Sequence, residues 1–339
     1  MSGAALELDR KQILAFRRDV GALGSRLPRG KRSLERIAWA GLQDSMPRAA
    51  TLSVNARMSG TPATVWDDPA FVQIWGPRYS AYVVAARDVG VFTLGRLPDD
   101  ETARARAYDL AERLDAYLEG RALPFKVPGE AIANHPNALR YAAPTGTVLI
   151  RWDGARPPTV RTVAPPDLDP SDARKELARR YLRVFGPSTP EAFAEWAGVR
   201  TSSAASTFDG IKRSLTSVAT PIGRAWMLNR DVEAARSAQP EDTVRLLPSG
   251  DTYYLLQGDQ RSLLVPRSDR RNLLWTSRVW PGAILANGDI VGTWRRAKNV
   301  LTASLWTRLT RRLRDEIMGE AARLPLPESD GVVQVDFVE

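Results

Sequence analysis

The stretch PSDARKELARRYLRVFGPSTPEAFAEWAGVRTSSAASTFDGIKRSLTSVATPIGRAWMLNRD, residues 170–231, holds three helical patterns and one hairpin pattern in close succession. The first, PSDARKELARRYLRVFG, is amphipathic, with Ser171 placed to accept free backbone N–H groups of the opening turn. The second, STPEAFAEWAG, begins with Pro190, whose fixed φ suits a first helical turn, and stops at Gly198. The third, SSAASTFDGIKRSL, leads into TSVATPIGRAWMLNRD, which reads as two strands about a turn.

The same order recurs upstream. Helical patterns cover Leu8–Val20, Ser33–Ala38 and Pro47–Met58, and YSAYVVAARDVGVFTLGR then reads as two strands joined at Arg87–Gly90. Next, ETARARAYDLAERLDAYLEG is a helix ended by Gly120, with short helices near Glu130–Ala133 and Asn137–Tyr141. TGTVLIRWDGARPPTVRTV follows, with Asp153-Gly154 as a turn dipeptide. Short helices closed by a hairpin make the winged-helix arrangement, a relative of the helix-turn-helix. The pattern predicts an α+β chain of tandem winged-helix units at residues 1–99, 100–170 and 171–240. Residues 241–300 turn β-rich, with TVRLLPSGDTYYLLQ and AILANGDIVGTWRR as hairpins, the latter about Asn287-Gly288. They are expected to form a small barrel-like part. Residues 301–339 hold a helix over Thr302–Arg323, with Leu305, Leu309, Leu313 and Ile317 in line, and a tail.

Composition bounds the chemistry. The 339 residues are 43% hydrophobic, enough for real cores. No apolar run reaches the ~18 residues a membrane span needs, and MSGAALELDRKQ lacks a signal pattern, so a cytoplasmic protein is expected. The absence of cysteine excludes disulfides, thiolate zinc sites and cysteine nucleophiles. His135 is the only histidine, which excludes a histidine metal cluster; within ANHPNA it reads as a cap or turn residue. No phosphate loop and no dinucleotide fingerprint occurs, so ATP or NAD chemistry is not expected. The net charge is +9, carried mostly by arginine, whose planar guanidinium suits phosphate and guanine edges. This points first to nucleic acid; a GC-rich genome spelling lysine as arginine is the plainer account.

The candidate DNA contacts are Arg48, Arg78, Tyr82, Arg140, Lys212, Arg213, Arg295 and Arg296, each of which can equally belong to a solvated face. The candidate chemistry lies in AGLQDSMPRAA, residues 40–50. Asp44 or Ser45 ahead of Met46-Pro47 is good capping chemistry for the next helix. The other reading makes the same residues the floor of a site, with Gln43 positioning water and Asp44 stabilising a cation or acting as base.

The stretches GLQDSMPRAATLSVNARM, RYSAYVV, ELARRYLRVFGPSTPEAFAEWAG and PGAILANGDIVGTWRR resemble the winged-helix DNA glycosylase family, the AlkZ-like proteins. The resemblance runs over nearly the whole chain. It implies tandem winged helices with a small β-barrel around a concave basic channel. It implies removal of alkylated bases or unhooking of interstrand crosslinks without a metal or organic cofactor. The family's catalytic motif is Gln, an apolar residue, then Gln or Asp. Gln43 matches its first position, while Asp44 and Ser45 stand at the second and third. The family's Arg-Gly-Thr-Leu-His stretch stands here as Arg78, Tyr79, Ser80, Ala81 and Tyr82.

The expectation is a monomeric winged-helix protein on damaged double-stranded DNA, with Gln43, Asp44 and Ser45 as the catalytic set for N-glycosidic bond hydrolysis. Two alternatives stand beside it: a non-catalytic DNA-binding protein, as regulator or damage binder, and a protein–protein scaffold.

Overall fold

A computed structural model of the chain describes residues 6–46, 48–154, 156–325 and 333–338. The segments that carry strong local signals fold as their sequence dictates. Strand β1 (Leu6–Glu7) precedes α1 (Arg10–Val20), where Asp9 and Gln12 form a reciprocal capping box. Helix α2 spans Lys31–Ile37, β2 Leu42–Gln43 and α3 Ala49–Arg57. Pro47, expected to open α3, lies outside the described residues.

Strands β3 (Phe71–Trp75) and β4 (Ala81–Ala85) form the hairpin of this part, followed by the short α4 (Val89–Thr93). This corrects the expected turn at Arg87–Gly90. The run after β4 is helical because Val91, Phe92 and Leu94 pack into the core from a helical backbone. An apolar run of that length looks the same in a buried strand.

Helix α5 (Glu101–Leu118) is capped by Asp100. It is followed by β5 (Leu123–Pro124), α6 (Lys126–Ile132) and a 3-10 segment at Pro136–Thr145. The hairpin β6 (Val148–Arg151) and β7 (Thr159–Thr162) pairs antiparallel from Val148↔Thr162 to Arg151↔Thr159. Asp153-Gly154 therefore sits inside a longer loop, not in a two-residue turn.

Helix α7 (Pro170–Phe185) is capped by Asp169, which accepts from the Ser171 and Asp172 N–H groups. Ser171 is thus inside the first turn and is not the cap. Helices α8 (Pro190–Ala197, capped by Thr189) and α9 (Thr201–Gly210) lead to the hairpin β8 (Leu215–Thr220) and β9 (Gly223–Leu228). Helix α10 is Val232–Ser237 and β10 is Val244–Leu247.

Residues after β10 do not complete a hairpin. Asp251 instead caps a turn by accepting the Tyr253 N–H, and Tyr254 enters the core. Short helices α11 (Gln260–Leu264) and α12 (Ser268–Leu274) follow. Then come β11 (Gly282–Ala286) and β12 (Asp289–Ala297). Asn287 and Gly288 both have positive φ between them, as a type I′ turn requires. The expected helix from Thr302 splits into strand β13 (Val300–Leu305) and helix α13 (Arg311–Ala322), capped by Thr310. Leu305 therefore ends a strand, while Leu313 and Ile317 lie on the helix. Strand β14 (Gln334–Val338) adds parallel to β13.

Among the described residues the strands make three sheets. The first two hairpins share one, in the order β2-β4-β3-β6-β7-β5, joined at Gln73↔Ile150. The chain start joins the third hairpin, since β1 pairs parallel with β8. The C-terminal sheet runs β10-β11-β12-β13-β14 and is open. This corrects the barrel-like expectation: closure requires the edge strands to pair, whereas β14 stays on β13 and Ile317 and Ala321 of α13 cover a face. One apolar core runs between these parts, from Ile74 and Tyr82 through Tyr181 and Trp196 to Tyr254 and Leu285. Among the described residues no helix is long and apolar enough to cross a membrane.

A buried ion pair locks the C-terminal part to α3. Arg57 donates from Nη1 and Nη2 to the two carboxylate oxygens of Asp251, each at 2.7 Å, with both residues 1% exposed. Its Nε reaches the Gly21 carbonyl and the Ser53 hydroxyl donates to Asp251, so the pair's polar capacity is met. Asp251→Ala leaves a buried unpaired guanidinium and is expected to lower unfolding stability by about 3–5 kcal/mol. Urea denaturation checks this; a loss under 1 kcal/mol would show that the pair does not fasten the two parts.

Candidate active site

The two residues of β2 lie against β4 in the register Leu42↔Val83 and Gln43↔Tyr82. The Asp44 N–H continues the ladder to the Ala81 carbonyl at 2.8 Å. Side chains alternate along this short extended run. Leu42 and Asp44 are buried, while Gln43 and Ser45 are half-buried.

Asp44 answers the cap-or-site question in an unexpected way. Its Oδ1 accepts the Ala50 N–H at 2.9 Å, at the start of α3. The backbone N-cap position is held by Arg48, in the left-handed region at φ 62°, and gives no side-chain bond. Asp44 thus caps α3 from upstream. Its Oδ2 accepts from Gln73 Nε2 at 2.7 Å, and Gln73 is clamped by the Trp152 backbone. Burial pushes the carboxyl pKa from 3.8 up to about 7, against the Ala50 and Gln73 bonds and the charges of Arg151 and Arg48.

Gln43 has a different environment. Its Oε1 accepts from Arg78 Nη2 at 3.1 Å, and Arg78 Nη1 donates to the Trp196 carbonyl at 3.2 Å. Arg78 and Tyr79 form the tip of the β3–β4 turn with φ of 54° and 56°. Two consecutive non-glycine residues there carry strain of about 1–3 kcal/mol each, which persists only where surrounding structure imposes it. The surroundings do: α8 ends in Gly198, whose missing side chain lets its backbone press against Arg78. On the other side Gly250, at φ 73°, faces the Gln43 amide; a Cβ there would sit 3.1 Å from Nε2. The next residue is Asp251, so the Arg57 pair fixes how closely this loop approaches Gln43.

The remaining expected residues divide. Ser45 is half-buried two positions beyond Gln43. Tyr82 is 0% exposed, its ring held between Gly41 and Gly76, where added side chains would collide with it. It cannot reach DNA and is removed from the contact set; it is the floor under Gln43. Burial raises its hydroxyl pKa, opposed by the charges of Arg78 and Arg96. Arg48 lies with its guanidinium 5.8 Å from the Trp66 ring. Arg140 bonds Asn137 Oδ1 at 3.0 Å. Lys212 and Arg213 are exposed between α9 and β8, and Arg295 and Arg296 are exposed on β12. The structure therefore brings together Gln43, Asp44, Ser45, Arg78 and Tyr82, with Arg48 acting on Asp44 by charge. Gln73, Gly250, Arg57 and Asp251 complete the site and escaped the sequence reading, because no local pattern ties them to Gln43.

The family model for AlkZ-like DNA glycosylases matches residues 35–325. The chain belongs to the AlkZ-like DNA glycosylase family. It is similar to an interstrand DNA cross-link repair glycosylase of Streptomyces sahachiroi, at 26% identity over 133 residues, 37% of this chain and 35% of that protein. The match thus spans about a third of the curated relative's length. The fold is that of the solved Streptomyces sahachiroi DNA glycosylase AlkZ, with a TM-score of 0.79 at 17% identity, covering 98% of this chain and 100% of that one. Asp44 occupies an interior site, and its raised pKa lets it exist there uncharged.

The sign of the Asp44 effect follows from this shift. The folded protein holds a proton that the unfolded chain releases, so the stability this group contributes is full below pH 3.8 and lost as pH rises to about 7. Asp44→Asn removes that titration. The stability gap between the two proteins is expected to move by about 3 kcal/mol, in favour of the variant, from about pH 4.5 to about pH 8. Urea curves that stay parallel across this window would exclude a proton on buried Asp44.

Proposed function

We propose that this protein is a monofunctional DNA glycosylase that hydrolyses the N-glycosidic bond of alkylated or crosslinked bases in double-stranded DNA, acting as a monomer of tandem winged helices. The observation that carries the proposal is the half-buried Gln43 carboxamide of β2, oriented by Arg78 from the strained β3–β4 tip. Helices α7–α9 with hairpin β8–β9 supply the winged-helix order most directly. The net charge of +9 favours a polyanion.

In this reading the damaged nucleotide leaves the base stack. With Oε1 bonded to Arg78, the Gln43 amide has a fixed orientation, and its free lone pair and N–H groups are left to hold a water molecule. Ser45, on the same side of the extended run, is short and uncharged; its hydroxyl can bond that water but cannot supply charge. Asp44 engages both oxygens inside the protein, so its part is to hold β2 against α3, not to face the sugar. Asp44 is then not placed to protonate a neutral leaving base. The substrate must bring its own positive charge, as N3- and N7-alkylpurines do.

The second reading, a binding protein without catalysis, draws on the capping role of Asp44. Base release separates the two. Duplex DNA carrying N7-methylguanine is expected to yield abasic sites, scored as strand breaks, while uracil-containing duplex is expected to yield none. Gln43→Ala is expected to slow release about 100-fold or more, with salt-dependent duplex binding unchanged. Undiminished release by Gln43→Ala would end its assignment; binding without release by the wild type would favour the second reading.

A further inference from the structure

The 3-10 segment Pro136–Thr145 packs against α5 and is buried at Leu139 and from Ala142 to Thr145. Between these buried positions Tyr141 is 55% exposed. A single exposed tyrosine is ordinary; this one is built on a support. Its ring meets Tyr79 edge-to-face, with centroids 5.1 Å apart and planes at 76°. The Arg96 guanidinium lies 5.0 Å from the Tyr79 ring centre. Arg96 is itself buried, donating to the Ala197 carbonyl at 2.8 Å and the Trp75 carbonyl at 3.1 Å. A fixed cation, a ring and a second ring thus form a column that ends in solvent.

The column stands beside the site. Tyr79 follows Arg78 in the strained turn, and Arg78 holds Gln43. Arg140 precedes Tyr141 in the chain. An aromatic face among guanidinium groups is how proteins receive unpaired bases, because every base has a stacking face and each phosphate needs a cation. A tyrosine whose orientation is already set loses little freedom on binding.

We infer that Tyr141 is a stacking platform for a nucleobase that loses its neighbour when the target nucleotide leaves the helix. The inference rests on the DNA glycosylase reading above and adds to it a residue that touches the DNA beside the vacancy.

The test uses two duplexes with the full-length protein: one intact, and one holding a tetrahydrofuran abasic analogue beside 2-aminopurine. Wild type is expected to bind the second more tightly, with a change in 2-aminopurine fluorescence on binding. Tyr141→Ala should bind the abasic duplex about tenfold more weakly, with intact-duplex affinity and the slope of log K against log salt unchanged, since stacking releases no counterions. Tyr141→Phe should behave as wild type. Arg140→Ala, by contrast, should flatten the salt slope. Equal affinity of wild type and Tyr141→Ala for the abasic duplex, with no difference in fluorescence, overturns the inference alone. Failure of the wild type to bind either duplex overturns the glycosylase reading, and this inference with it.

Discussion

The bidentate pair between Arg57 and Asp251 is the constraint on which the site depends. It joins the last residue of α3 to the turn after β10, across 194 positions of sequence. Two buried charges are costly unless every donor and acceptor is used. Here Gly21, Ser53 and Thr252 take up what the pair leaves. The consequence reaches Gln43 along two routes. Asp251 sets the place of Gly250, whose backbone closes on the Gln43 amide. Arg57 anchors the far end of α3, whose near end is held by Asp44, the residue after Gln43. One helix, fastened at both ends, frames the residue proposed to do the chemistry.

Asp44 shows that a cap and a site residue need not be alternatives. Its carboxyl satisfies an orphan N–H of α3 and, through Gln73, ties β2 to the loop at Trp152. A buried carboxylate in place of an apolar side chain would be severe if it had to stay charged. Its pKa near 7 relieves that cost by admitting the proton. Asp44 faces inward, while Gln43 and Ser45 on either side of it are only half-buried.

The arginines have two separate employments. Arg17, Arg57, Arg96, Arg174 and Arg180 are buried and bind backbone carbonyls or carboxylates. Arg17 reaches the carbonyls of Phe185 and Gly186, and Arg96 those of Ala197 and Trp75. A guanidinium has five donors in a rigid fork, so it can close several loop ends at once. Part of the arginine that composition reads as a nucleic-acid signal is thus internal mortar. Lys212, Arg213, Arg295 and Arg296 are exposed, and these remain available to phosphate.

The sequence by itself determined the local elements whose signals lie within a few residues. The third helix–helix–helix–hairpin run, the type I′ turn at Asn287-Gly288 and helix α5 were all legible, because caps, periods and turn dipeptides act over short range. It misread the run after Arg87 and the segment from Thr302, where short apolar stretches suit strand and helix equally until the partner surface decides. It also could not show that β1 joins the third hairpin, that the C-terminal sheet stays open, or that Tyr82 is a sealed floor. Which way Asp44 points, how Gly250 meets Gln43 and why Tyr141 stands exposed were decided only by tertiary structure. Each depends on groups far apart in the chain, whose meeting is set by burial and charge pairing and leaves no periodic mark in the sequence.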